Sequence, residues 1–595
     1  MDRRTMLRQT VCMAAMAAGR ALPRERDRPP QLGDLFDRFM QENLDLSPLS
    51  ATAYGLDTGR RARQKRELDD ASVAGIERQA ALTASQLARL RAFDRASLSA
   101  SDATSYDVIL YGLRTGDAAN RAFHYGPGGA GRPYIISQLG GAYQWLPSFL
   151  DTQHIIETRA DADAYIARLR DLGTLLDQEA AVARRDLALG VIPPDFALAR
   201  TLVQMRQLRA PAPDQSPLTT SVVRRAREQS IRGDYLRQAS RLVRDRVYPA
   251  LDRQIALVSD LQQRATAEAG VWRLPDGEAY YAASLANWAT TDRKPAQIHE
   301  LGLELVREQT AMIDTLMRRQ GLTQGTVGER LRTMFTDPRY LYPNTDEAKT
   351  ALIADLNARI RRVRARLPAY FGVLPKAEVE IRRVPPEIES GDAGGSYESP
   401  SIDGSRPGIY WINLRDTAEQ PRWSLPTVTY HESIPGHHLQ GTIQQEANLP
   451  LIRKVAFFGA YIEGWALYAE QLAVEMGEYD DDPLGHIGQL HDSLLRAARL
   501  VIDTGIHSRR WTREQAIRYF VDTLGEPEPS AVTEVERYCV WPGQACSYML
   551  GKRAFLDQRV RAQQLLGAEF DIRRFHDAML LPGALPLELL ERIYA

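Results

Sequence analysis

From residue 32 to about 385 the chain repeats one pattern: apolar residues at helical spacing, with charged residues on the opposite face. QLGDLFDRFMQENLDL, ADAYIARLRDLGTLLDQEAAVARRDLALG and LIADLNARIRRVRARL all carry it. Gly and Pro punctuate the runs, as in PDGEAYYAA and MFTDPRYLYPNTDEA, and Pro249 predicts a kink within its helix. The pattern breaks near 376. KAEVEIRRVP alternates and reads as a strand, and GIYWINL reads as a second short strand among Gly, Ser and Pro clusters. Helical spacing resumes at about 425 and runs to the end. The expected fold is therefore mainly α, with a small β-sheet just before a helix. At 595 residues the chain is too long for one compact core. Three regions are expected: a leader and linker over 1–30, a helical region over 31–375, and a C-terminal region over 376–595.

Charge and hydropathy exclude some partners. The formal net charge is -1, so there is no basic excess to release counterions from nucleic acid. No run of 18 apolar residues occurs, so no integral membrane segment is expected. The first thirty residues pair Arg3 and Arg4 with an apolar run from Val11 to Ala18 and small residues at 19–21. That resembles a twin-arginine export signal, which implies export to the periplasm; without a functional leader the protein would stay cytoplasmic. Of the three cysteines, Cys12 lies in this leader, and Cys539 and Cys546 are seven apart. On a continuous helix that is about 10.5 Å of rise, too far for a disulfide.

TYHESIPGHHLQG, starting at Thr429, carries the chemistry. His431 followed by Glu432 opens like a zinc-hydrolase helix, in which a second His stands four residues after the first. Position 435 is Pro, and histidines come only at 437 and 438, giving HExxPGHH. Pro435-Gly436 is expected to make a bulge within one helix. Seven residues of straight helix turn roughly 700°, so His438 falls within about 20° of His431. This phase favours His438 as the second ligand and leaves His437 as an alternate or as a neighbour of the ligands. Glu432 is placed as a general base beside a metal-bound water. A third ligand is expected from FFGAYIEGWALYAEQL, where Glu463 and Glu470 sit in an apolar, aromatic helix and need partners if buried.

HESIPGHHLQ, YIEGWALYAEQL, LVIDTGIHSRRWTREQA and ERYCVWPGQACSYMLGKRAF together resemble the bacterial family called domain of unknown function 885, as does the earlier LDLSPLSATAYGLDTG. The likeness covers nearly all of the chain after the leader. The family is regarded as zinc metallopeptidases, often exported or lipid-anchored, with a zincin-like helical fold similar to oligopeptidases of the HExxH type. By that resemblance Glu463 is the third ligand, 25 positions after His438 and 26 after His437. Tyr548 resembles the tyrosine that such enzymes aim at the oxyanion. Gln544, one turn before it, and His507 and Arg537 are candidate contacts for substrate. Tyr397 and Tyr410, flanking the strand, are candidates to line the peptide site.

The expected protein is then a peptidase with one Zn2+ on His431, His438 (or His437) and Glu463, acting on short peptides beneath a helical roof. The alternatives are a metal-dependent hydrolase of a non-peptide amide and an inactive helical binding protein that retains a structural metal. Peptide preference, exo- or endo-cleavage and oligomeric state are not encoded legibly.

Overall fold

The computed structural model describes residues 31–384, 395–400 and 407–595; the leader reading falls outside them. Fourteen α-helices occupy Leu32 to Arg366. Six of them, from Ala142–Thr152 to Tyr248–Arg264, pack around a core of their own that includes Leu169, Leu176, Leu198, Val222, Val243 and Leu251. The longest, Arg159–Ala188, starts at a capping box in which Thr158 and Asp161 satisfy each other's backbone N–H groups. Near Pro249 the helix carries a π-helical turn over Val243–Val247, and Pro249 sits just inside the following helix, Tyr248–Arg264. The ladder is thus widened one turn before the proline.

Three strands form one sheet: β1 (Val379–Arg383), β2 (Gly395–Glu398) and β3 (Gly408–Ile412), in the order β1-β3-β2. β1 runs parallel to β3 with Val379 opposite Gly408, and β2 runs antiparallel with Tyr397 opposite Tyr410. The sequence signal marked β1 and β3; β2 has only four residues, with no apolar run to announce it. Being central, β3 is buried on both faces, so Ile409, Tyr410 and Ile412 all enter the core.

Two long helix pairs follow. Pro295–Arg319 lies along Pro483–Ser508, and Gly459–Glu475 lies along Ser547–Leu566. One apolar cluster joins Val108, Tyr280 and Leu356 to Trp465, Phe555 and Leu590, so packing runs continuously across residue 375. Cys539 and Cys546 are free and buried. No helix among the described residues is long and apolar enough to cross a membrane.

Gly464 and Gly551 let the second pair touch. A Cβ on Gly551 would stand 1.8 Å from the carbonyl oxygen of Ala460, and one on Gly464 would stand 2.4 Å from Gly551 backbone. Backbone on both sides cannot yield, so Gly551→Ala should cost about 1–3 kcal/mol through overpacking. Gly112, exposed in the helix Ala100–Ala122 with nothing within 4 Å of a Cβ, is the control. Gly112→Ala should instead stabilise by about 0.5–1 kcal/mol. Denaturant midpoints measure both; an unchanged midpoint for Gly551→Ala would mean the two helices do not meet at this crossing.

Candidate functional site

The HESIPGHH stretch does not form one bulged helix. The helix Leu425–Glu432 stops, four residues pass, and a new helix starts at His437 and runs to Glu446. The link is held in three places. The Gly436 N–H donates to the Tyr430 carbonyl at 3.1 Å, the His438 N–H to the Ser433 carbonyl at 3.0 Å, and the Trp465 Nε1–H to the Pro435 carbonyl at 2.9 Å. Only glycine fits at 436, because a Cβ would stand 2.0 Å from the His431 carbonyl oxygen.

The break resets the helical phase, and this corrects the choice of second histidine. His437 turns to His431, with ring centroids 4.7 Å apart and planes near perpendicular. His438 turns away, and both its nitrogens are engaged. Nε2 donates to the Ala377 carbonyl at 3.0 Å, which leaves Nδ1 to accept from the Tyr397 hydroxyl at 2.9 Å. Burial lowers its pKa to about 4, so it is neutral. His438 is a brace beneath the sheet and is not a candidate ligand.

Glu463, from the helix Gly459–Glu475, completes the convergence. Its Oε2 lies 3.6 Å from His431 Nε2 and 3.5 Å from His437 Nε2. Both separations are long for hydrogen bonds. They suit two atoms bound to one ion, since bonds of 2.0–2.1 Å at a tetrahedral angle hold ligands about 3.4 Å apart. His437 Nδ1 is buried without a partner. Glu432 also brings an oxygen within 4.8 Å of the His431 and His437 nitrogens. One oxygen of Glu463 faces the Nε2 atoms of both rings, which favours it as ligand and leaves Glu432 free. Two imidazoles and a carboxylate are a donor set that fits a zinc-like divalent cation.

Behind His431 lies a second carboxylate. Glu470, two turns after Glu463 on the same helix face, accepts from His431 Nδ1 at 2.7 Å. With an ion in place, that bond would keep the proton on Nδ1 and leave the Nε2 lone pair facing Glu463 and His437. Asp492 lies within the same buried group of His431 and Glu470 and pairs with Arg496. Burial opposes charge on His431, but Glu463 and Glu470 outweigh it and hold its pKa well above the ordinary value. Burial would likewise raise Glu463, yet the two histidines hold it well below the usual range. Burial and the Asp492 carboxylate push Glu470 up; Asp492, though buried, is held down by Arg496. The cluster demands positive charge at its centre.

A cleft of about 480 Å³ opens on these groups. Tyr397 and Ser399 of the sheet region, Glu432, Phe457, Arg499 and Tyr548 are among its walls. β2 is therefore the strand beside the site. The helical N-terminal region contributes none of the lining residues; its Met40, Leu44 and Ile109 line an adjoining cavity of about 660 Å³ that shares Val455, Ala456 and Phe457 with the cleft. Tyr548 faces the cleft, and its hydroxyl accepts from Gln544 Nε2 at 3.4 Å. Arg537 donates to Gln544 and Glu534, one shell behind Tyr548.

Two other candidates are structural. Tyr410 is fully buried in β3 and is not among the cleft-lining residues. His507 is buried, accepts from the Val271 N–H at 3.1 Å and donates from Nε2 to the Tyr538 carbonyl at 3.0 Å. Sequence reasoning also missed Asp492, Arg496 and Arg499. Their signal was present: charges at 492, 496, 499 and 503 recur at helical spacing on one face of a largely buried helix.

The chain belongs to the family described as "Bacterial protein of unknown function (DUF885)", whose model matches residues 48–593. The crystal structure of a "putative lipoprotein" from Colwellia psychrerythraea is similar at a TM-score of 0.90 and 33% identity, over 95% of this chain and 98% of that one. A "putative lipoprotein of unknown function" from Shewanella oneidensis matches at 0.70 and 19% identity, over 95% and 100% of the two chains, and shows the shared fold alone. Among curated proteins none matches.

Burial lowers the pKa of His507 to about 4. The unfolded chain takes up that proton near pH 6.5 and the folded chain does not, so stability is full above about 6.5 and falls as pH drops toward 4. The shift corresponds to about 3 kcal/mol from this one residue. His507→Gln should flatten the slope of unfolding free energy against pH in that window by about one proton. An unchanged slope would mean that His507 is protonated in the fold.

Proposed function

We propose that this member of the DUF885 family is a zinc-dependent metallopeptidase that hydrolyses short peptides. One observation carries the reading: His431, His437 and Glu463 converge on a cleft wall, with Glu432 beside them and uninvolved in holding the rings. His431, His437 and Glu463 would hold the ion. Bound there, zinc supplies a Lewis acid that polarises the scissile carbonyl and acidifies water. Glu470 fixes the tautomer of His431. Glu432 takes the proton of the attacking water and passes it to the leaving amine. The Tyr548 hydroxyl donates to the oxyanion, steadied by Gln544. β2 lies along the cleft, where an extended peptide can run beside Tyr397 and Ser399. The same groups would serve a non-peptide amide, and the substrate screen distinguishes the two.

We infer export as well. The paired Arg3 and Arg4 before an apolar run support it, and so does the lipoprotein description of the Colwellia psychrerythraea relative.

Three variants test the metal assignment by elemental analysis. His437→Ala and Glu463→Ala should lose the single zinc, whereas His438→Ala should keep it. Zinc retained in His437→Ala and lost in His438→Ala would reverse the assignment. Glu432→Gln should keep zinc and lose turnover of a mixed peptide library by roughly a hundredfold or more. Full turnover in that variant, or turnover indifferent to chelator, would end the peptidase reading. A reporter carrying residues 1–35 should leave the cytoplasm only with Arg3 and Arg4 intact; export that survives Arg3→Lys/Arg4→Lys would exclude the twin-arginine route.

A further inference from the structure

One wall of the cleft carries two guanidinium groups that the proposed chemistry does not use. Arg496 and Arg499 stand one turn apart on the helix Pro483–Ser508 and line the cleft with Tyr548. Their guanidinium carbons sit 5.7 and 4.6 Å from the centroid of the Tyr548 ring. Arg499 is only 7% exposed. Its Nε donates to the Tyr538 hydroxyl at 3.0 Å and its Nη2 to Glu534 at 2.8 Å, while Nη1 is buried with no partner. Arg496 gives Nη1 to Asp492 and leaves Nε buried without a partner.

The counter-ions here are shared, with the Glu526 carboxylate also near Arg496 and Arg499. Glu534 serves two guanidinium groups at once, Arg499 at 2.8 Å and Arg537 at 2.9 Å. Arg537 turns its third nitrogen, Nη1, to the neutral Gln544. A buried guanidinium with an unmet N–H and a shared counter-ion is costly unless a further acceptor arrives. A planar fork of donors next to a cleft is suited to a carboxylate. Glu432 and Glu463 line the same cleft, so acidic and basic groups both face it.

We propose that Arg499, assisted by Arg496, receives a carboxylate of the substrate beside Tyr548. The site then selects peptides that carry a negative charge a short distance from the bond being cut. That charge is either the free C-terminus of a short peptide or an acidic side chain. This inference rests on the peptidase reading and narrows it.

The test uses the full chain as its zinc-loaded Glu432→Gln variant, so that peptides bind without being cut. Calorimetry compares N-acetyl-trialanine as free acid, the same peptide as C-terminal amide, and an amide with Glu at the last position. Hydrogen bonds to a charged group predict that one of the two acids binds about tenfold or more tighter than the neutral amide. A preference for the free acid identifies the C-terminus as the source; a preference for the Glu amide identifies the side chain. Adding Arg499→Gln should erase the preference, and Arg499→Lys should reduce it while keeping a charge opposite Glu534. Equal binding of acids and amide, or a preference that survives Arg499→Gln, overturns the proposal. The comparison on the Arg499-intact protein stands even if the substitutions unfold it. Charge-selective binding by a protein that, unmodified, cleaves no peptide would keep the carboxylate site and end the peptidase reading. Cleavage without charge preference would do the reverse. Binding of none of the three overturns both.

Discussion

The site depends on one imidazole held between two carboxylates. Glu463 and Glu470 stand two turns apart on one buried helix and approach opposite nitrogens of His431. Carboxylates so buried are expensive unless paired with positive charge or a metal. The helix that carries them is therefore committed to the histidine helix, and both are committed to the Asp492–Arg496 pair behind. The large apolar cluster around Trp465, Tyr461 and Phe555 offsets that expense by keeping the backbone rigid where the charges meet.

This arrangement explains why the break between 432 and 437 is tied down so firmly. An uninterrupted helix would bring the 438 side chain round to His431 and leave His437 off the cluster. The actual chain stops, turns and restarts. The new helix begins with His437 already facing His431, and His438 is free to brace Tyr397 and the segment before β1. Adjacent histidines thus do two jobs on opposite faces: one meets the cluster, and the other fastens the sheet to it.

Much of this was legible in sequence. Helical periodicity gave the fold class, and two buried-looking acids in an aromatic helix marked Glu463 and Glu470. What failed was the assumption that phase survives a Pro-Gly step. Such a step announces an interruption, but the direction in which the chain leaves is set by Trp465, thirty residues on, reaching the Pro435 carbonyl. Tyr410 was misread for a similar reason. An aromatic beside a short strand looks like a site wall until a four-residue neighbour, β2, covers that strand and makes it central. Both errors concern contacts between distant segments, which local propensity does not record.

The basic stripe shows the converse, a signal that local pattern does record. Asp492, Arg496 and Arg499 lie on one face of a 26-residue helix that is mostly buried. Charges placed on a buried face must find partners within the protein, and the partners reveal what the face is for. Asp492 finds Glu470 and Arg496 and so belongs to the His431 cluster. Arg499 finds Glu534, which it shares, and the ring of Tyr548, which it flanks. A single helix therefore links the base of the histidine cluster to the cleft wall beside Tyr548. It packs along Pro295–Arg319, which holds both ends of that stripe in place. On the proposed reading, a substrate in the cleft would meet both ends of this stripe, and the helix would set how far its charge lies from the histidines.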